Sequence, residues 1–172
     1  MRLRKLIFLH LQHLPMPSLG WRSRICKWGG VNILNPKKTE IRTNVVFDTM
    51  SPENITIEEG VIISTGCKII SHYLDPHTMT PEDRLANRYP VGHVLIKKNA
   101  FIGMGSMIIK PITIGENAIL GAGSVFTQSI PDNEIWAGNP ARCIGKLYPR
   151  WLPISNTAMH GVLMELRIWK PN

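Results

Sequence analysis

The sequence predicts an all-β protein: a parallel β-helix of six-residue repeats, with a helical segment before it, a loop protruding from it and a tail after it. Three observations carry that expectation. The first is a period. From Ile96 to Phe126 every sixth residue is large and apolar: Ile96, Ile102, Ile108, Ile114, Leu120 and Phe126. A helix would repeat its apolar positions about every 3.6 residues and a strand about every 2. A strict six requires a coil of short strands, each unit making one side of a prism and turning one residue inward. The second is what fills the gaps: Gly103, Gly105, Ser106, Gly115, Asn117, Ala118, Gly121, Gly123 and Ser124 are small or turn-forming. The third is a longer beat. Asn99 in KKNAF and Asn117 in GENAI stand eighteen residues apart, which is three sides and one full turn of a triangular coil. Asn and Gly suit such corners because they tolerate positive φ better than other residues.

Length and charge set the outer bounds. At 172 residues the chain makes one domain with small additions, and with 44% apolar and 19% charged residues nothing marks disorder. The net charge of +8 sits at the ends. Residues 1–28 hold Arg2, Arg4, Lys5, Arg22, Arg24 and Lys27 with no acid, and residues 142–172 hold five basic residues against Glu165. Such ends suit an anionic membrane surface or a phosphate-bearing ligand. No recognition helix, zinc finger or aromatic RNA-binding signature points to nucleic acid. Cys26, Cys67 and Cys143 are scattered and odd in number, which argues against a disulfide framework and a zinc module and for free thiols in a reducing cytoplasm.

Along the chain, residues 1–30 read as a basic helical cap. In MRLRKLIFLHLQHL the apolar residues fall near one helical face, and Pro15 and Pro17 stop the helix. The stretch has no small-residue cleavage site and is too short to span a bilayer. It suits either a helix lying on a membrane surface or a cap over the open end of the coil, and the two are compatible. Residues 18–30 make a second helical piece ended by Gly29 and Gly30. Residues 31–147 form the β-helix. Its early part is ragged, then Ile57, Ile63 and Ile69 set the frame. The spacing from Ile69 to Ile96 is twenty-seven residues, not a multiple of six, so the polar segment around 73–90 is expected to leave the wall as a functional loop. The tail, 148–172, holds an amphipathic helix candidate around 157–169.

Two strings carry a family resemblance. ITIGENAILGAGSVFTQSIPDNEIWAGNPAR (112–142) and NITIEEGVIISTGCKIISH (54–72) resemble the hexapeptide-repeat acyltransferases, in the branch of sugar and polysaccharide O-acetyltransferases. The resemblance spans residues 31–147. It implies a left-handed parallel β-helix, a homotrimer, and acetyl-CoA bound in the cleft between adjacent subunits, with no metal. It implies transfer of acetyl to a hydroxyl of a sugar or surface-polysaccharide precursor. The free thiols and the basic N-terminal helix set the expected location as the cytoplasm or the inner face of the membrane.

That chemistry needs a base for the hydroxyl proton, donors for the oxyanion and a slot for the long donor. His72 matches the family's catalytic histidine. Asp48, in NVVFDTM, is expected to bind the acceptor hydroxyl, with Tyr73 and Asp75 beside it. Asp75 or a backbone carbonyl is the candidate to orient His72. Arg84 and Tyr89 are further loop residues suited to a sugar. On the donor side the resemblance points to Gly103, Met104, Ala122, Gly123 and Thr127 along the slot, and to Arg142 and Lys146 near the nucleotide phosphates. Two positions depart from some sugar acetyltransferases: Met104 stands where they have serine and Gln128 where they have lysine. A backbone N–H must then serve the oxyanion. Two other classes share the fold: a zinc enzyme of the carbonic anhydrase type and a non-catalytic trimeric scaffold. His72 and His77 are five apart, as a zinc pair would be, but the third ligand position falls on Pro36. His93 is placed less well than either.

Overall fold

The computed structural model describes residues 7, 10, 19–73, 77, 79–86 and 88–147. One helix, α1 (Leu19–Trp28), leads into fourteen short strands. They are β1 (Asn32–Ile33), β2 (Glu40–Ile41), β3 (Val46–Phe47), β4 (Ile55–Ile57), β5 (Ile62–Ile63), β6 (Lys68–Ile69), β7 (Val94–Ile96), β8 (Phe101–Ile102), β9 (Met107–Ile108), β10 (Thr113–Ile114), β11 (Ile119–Leu120), β12 (Val125–Phe126), β13 (Glu134–Gly138) and β14 (Ala141–Lys146). Between β6 and β7 lies a second, short helix, α2 (Pro81–Leu85).

Up to β13, successive strands do not pair. Each pairs in parallel with the strand one coil away, which makes three walls: β1-β4-β7-β10, β2-β5-β8-β11-β13, to which β14 adds at the end, and β3-β6-β9-β12. In the regular part the register is the expected eighteen residues, as Leu95 with Thr113, Phe101 with Ile119 and Met107 with Val125. The irregular coils carry their excess at corners. Asn32 pairs with Thr56 and Val46 with Lys68, so the first coil is longer by a few residues. Lys68 pairs with Met107, thirty-nine residues on, so the excursion from the wall amounts to twenty-one residues beyond one turn.

The period of six is the period of burial. Ile33, Ile41, Phe47, Ile57, Ile63, Ile69, Ile96, Ile102, Ile108, Ile114, Leu120 and Phe126 are all at most 2% exposed. The expectation of one inward residue per unit needs correction, because each side turns in two. The residue two places earlier is buried as well: Val94, Ala100, Ser106, Ile112, Ala118 and Ser124. Side chains alternate along a strand, so positions i and i−2 share a face. On two walls that earlier position is small, which leaves room for the large residue at the centre of the prism. The two serines meet their polar needs at the backbone. Ser106 Oγ donates to the Gly121 carbonyl at 2.9 Å, and Ser124 Oγ accepts from Gly138 N–H at 2.9 Å.

The corners behave as the eighteen-residue beat implies. Asn99, Asn117 and Asn133 sit at φ near 57–60°. Their amides stack into a ladder, Asn99 Nδ2 donating to Asn117 Oδ1 at 3.3 Å and Asn117 Nδ2 to Asn133 Oδ1 at 3.0 Å. At the N-terminal end α1 closes the prism. Ile25 and Cys26 are buried, and Ser23 Oγ donates to the Thr39 carbonyl. At the other end β14 runs antiparallel to β13 and ends the spiral. Ile7 and His10 are helical; the rest of the 1–14 segment and the 157–169 helix candidate lie outside the described residues.

Replacing Ile102 by Ala should cost about 2–5 kcal/mol in urea unfolding, the range for deleting a fully buried aliphatic side chain. Its neighbour Phe101 points outward at 39% exposure, and Phe101→Ala should cost markedly less in the same measurement.

Candidate active site

The site grows from one pair of stacked strands. β3 and β6 are in register, Phe47 opposite Ile69. The residues that follow them, Asp48 and Ile70, therefore leave the same wall at the same corner, one coil apart. Both coils depart from the six-residue pattern here. After Asp48 the first coil makes a longer corner with a single 3-10 turn, Pro52–Asn54. After Ser71 the second coil leaves the wall altogether. Asp48 keeps its rung on the wall, its N–H donating to the Ile69 carbonyl at 2.9 Å, and its carboxylate turns toward the chain above.

There it is fully enclosed by donors. Asp48 Oδ2 accepts from Ser71 N–H at 3.0 Å, Ser71 Oγ at 2.7 Å, His72 N–H at 3.0 Å and the His72 ring Nδ1 at 2.7 Å. Oδ1 accepts from Met50 N–H at 2.9 Å. The Asp48 side chain is 0% exposed, whereas His72 remains 29% exposed. Burial alone would raise the carboxyl, but the hydrogen bonds from Ser71, His72 and Met50 outweigh it and bring the pKa from 3.8 to about 2. Asp48 is thus an anion at neutral pH, able only to accept. Its contact with Nδ1 makes that nitrogen the donor, so the neutral ring carries its lone pair on Nε2. The arrangement is a carboxylate–imidazole dyad with one ring nitrogen held and the other offered.

The loop is stitched beside it. His72 forms an antiparallel bridge with Val91. Tyr73 N–H donates to the Pro90 carbonyl at 3.1 Å and Gly92 N–H to the Ser71 carbonyl at 3.0 Å. The Tyr89 ring lies 5.7 Å from the His72 ring, tilted by 46°. Further out, Thr80 and Asp83 make a reciprocal capping box for α2, and Leu85 on that helix is 86% exposed.

The structure gives each expected residue a place. Asp48 needs correction: its carboxylate has no exposed oxygen for an acceptor hydroxyl, and it is the group that orients His72. Asp75, expected near the acceptor and as an orienter, lies outside the described residues. Tyr73 is half-buried next to His72, at the foot of the loop. Arg84 is exposed on α2. The donor candidates divide. Met104 (62% exposed), Ala122 and Gly123 stack on the corner between β8 and β9 and the corner above it, joined by Gly123 N–H to the Met104 carbonyl at 2.7 Å. Gly103 is buried beneath them. A Cβ there would stand 2.5 Å from the Leu120 carbonyl oxygen and 2.6 Å from Ala122 N, so glycine is required by the next coil. Thr127 follows β12 and shares the corner of Asp48 and Ile70 instead. Arg142 is exposed on β14, its guanidinium donating to the Ala141 carbonyl at 2.9 Å. Lys146 pairs with Glu134 at 2.8 Å. His93 is bonded to Thr56 at 2.8 Å. Among the described residues no three His, Cys, Asp or Glu side chains gather as metal ligands. The residue missed from the sequence is Ser71, whose only signal was standing next to His72.

Comparisons with known proteins agree with this architecture. Residues 93–128 match the family described as bacterial transferase hexapeptide (six repeats). The chain is 31% identical over 108 residues to YvoF of Bacillus subtilis (strain 168), whose acetyltransferase name is provisional; the match covers 63% of this chain and 57% of YvoF. The chain thus spans little more than half the length of that curated relative. Among solved structures, a maltose O-acetyltransferase from Clostridium difficile 630 superposes with a TM-score of 0.66 at 24% identity, covering 86% of this chain and 87% of that one. A galactoside acetyltransferase in complex with coenzyme A gives 0.61 at 22% identity, covering 93% and 88%. The fold shared with them is the expected all-β, left-handed parallel β-helix.

Asp48 gives a signature in stability. Its folded pKa is depressed, so its contribution is fully present above about pH 4, the range of the unfolded carboxyl, and is lost as pH falls through about 2. Asp48→Asn should lower stability most at neutral pH, and the gap between variant and native protein should close between about pH 4 and pH 2 in denaturant titrations.

Proposed function

We propose that this chain is an acetyltransferase that moves acetyl from acetyl-CoA to a hydroxyl of a sugar, with His72 as general base. The observation that carries the reading is the dyad: a partly exposed imidazole whose Nδ1 is held by a buried, ionised carboxylate, at the foot of a loop. Likeness to sugar acetyltransferases, one of them bound to coenzyme A, supports the choice of acceptor class and donor.

In the reaction, His72 Nε2 takes the proton of the acceptor hydroxyl as that oxygen attacks the thioester carbonyl. Asp48 stabilises the imidazolium that forms. With Met104 at the expected serine position, a backbone N–H near the slot bears the oxyanion. Collapse of the tetrahedral intermediate breaks the carbon–sulfur bond. The imidazolium returns its proton to the leaving thiolate, giving an acetyl ester and coenzyme A as the thiol.

The working unit in this reading is a homotrimer. Met104, Ala122 and Gly123 lie on one edge of the prism, and His72, with Thr127, on another. A slot formed between two copies would bring one edge of each together, which a single copy does not do. Arg142 lies at the far end of one wall and suits the nucleotide phosphates. Lys146 would have to leave Glu134 to join it.

Two measurements test this. Thiol release from acetyl-CoA, screened over mono- and disaccharides, should show turnover with some of them. His72→Ala should lower kcat by about 10²–10⁴-fold while acetyl-CoA still binds. Unchanged turnover would overturn the base assignment, and turnover with amines alone would overturn the hydroxyl acceptor. Ala122→Trp, which fills the slot, should raise the KM for acetyl-CoA with less effect on kcat. Light scattering should give three times the chain mass.

A further inference from the structure

The outer face of α1 carries exposed aromatic and basic side chains together. Its inner face buries Arg22, Ser23, Ile25 and Cys26 against the first coil. On the opposite side, spaced three, three and one residues apart, are Trp21, Arg24, Lys27 and Trp28. Trp21 is 41% and Trp28 48% exposed. The Arg24 guanidinium lies 5.6 Å over the Trp21 ring, and Lys27 Nζ reaches the Ile33 carbonyl at 2.8 Å. Two large aromatics and two cations therefore share one surface, at the end of the prism opposite the β13–β14 hairpin.

The sequence before and through this helix is strongly basic. The first acidic residue in the sequence is Glu40, and eight basic residues precede it: Arg2, Arg4, Lys5, Arg22, Arg24, Lys27, Lys37 and Lys38. The remaining residues hold equal numbers of acids and bases, twelve each, so the net charge of +8 is the charge of the first thirty-nine residues. The catalytic reading uses none of them. Among the described residues no helix is long and apolar enough to cross a membrane.

We propose that this end of the prism, through the outer face of α1, docks on an anionic bilayer surface. The chemistry fits from both sides. Tryptophan rings settle at the headgroup level, where one edge is apolar and the other polar. Arginine and lysine beside them meet the lipid phosphates, and a one-sign field raises local concentration at an anionic leaflet. The excess cations upstream, in a segment with Leu3, Leu6, Ile7 and Leu11, extend the same character. An exposed aromatic pair without cations would suit a protein partner, and cations without the aromatics would suit any polyanion; the combination favours the lipid interface.

The test uses the full chain and sedimentation with vesicles of phosphatidylcholine alone or with about 30% phosphatidylglycerol. The chain should bind the mixed vesicles and not the neutral ones, and the binding should weaken about tenfold or more between roughly 0.1 and 0.5 M salt. The double variant Trp21→Ala/Trp28→Ala should bind at least about tenfold more weakly, and Arg24→Glu should do so independently, each with unchanged thermal melting and circular dichroism. Membrane-depth quenchers should reduce tryptophan fluorescence in the native chain and less in the double variant. Equal binding to both vesicle types, or folded variants that bind like the native chain, would overturn the proposal. So would retention by duplex DNA under salt conditions in which the vesicles no longer hold the chain. Because none of these residues enters the catalytic reading, acetyl transfer to a soluble acceptor should be unchanged in the variants.

Discussion

No strand of the coiled wall could persist without the coil next to it. From β1 to β12 each is two or three residues long, and its hydrogen bonds go to a strand a full turn away in sequence. A single turn has no face it can bury alone; the core exists only once turns are stacked. This dependence imposes a rule on the rest of the molecule. Walls must keep their register, so every residue beyond the six-residue unit is expelled to a corner. The first coil expels a few residues and the second expels twenty-one beyond a turn, and in both cases the walls resume in phase.

The site is a product of that rule. Asp48 and His72 belong to segments expelled at the same corner of adjacent coils. Their spacing is set by β3 and β6, which are paired in register. The dyad therefore inherits its precision from the scaffold, while the loop is left free to vary in shape and chemistry. The same rule separates the edges. Corners one wall apart cannot approach each other within one prism, so Met104, Ala122 and Gly123 sit on a different edge from His72 and Thr127.

What could be read from the sequence follows the same division. The period from Ile96 to Phe126, the eighteen-residue beat of Asn99 and Asn117 and the exit of the chain after His72 were legible because they express the wall itself. The second buried position was not, since Ala100, Ser106, Ala118 and Ser124 look like turn residues until alternation places them inside. The partnership of Asp48 with His72 was hidden for a stronger reason. They are twenty-four residues apart, in coils whose register is twenty-two where the later coils keep eighteen. The irregular corners that build the site are the ones that erase the frame needed to align its parts. Gly103 carries two meanings in the sequence: glycine at an expected slot is equally what a close-packed coil demands, and the Leu120 and Ala122 backbone above it supplies that demand.

The way Asp48 is held bears on how His72 can act. A buried carboxylate is commonly stabilised by a cation, and an imidazolium beside it would serve. Here four other hydrogens already point at the carboxylate: two from Ser71, one from the His72 backbone and one from Met50. Asp48 is therefore anionic without any need for a protonated ring. That separation matters, because a base must be neutral before the reaction and cationic after it. If the imidazolium were required to satisfy Asp48, the ring would be protonated at the outset and useless as a base. With the backbone and Ser71 carrying the static cost, in the proposed reaction the charge of Asp48 would be in reserve for the moment His72 takes up a proton.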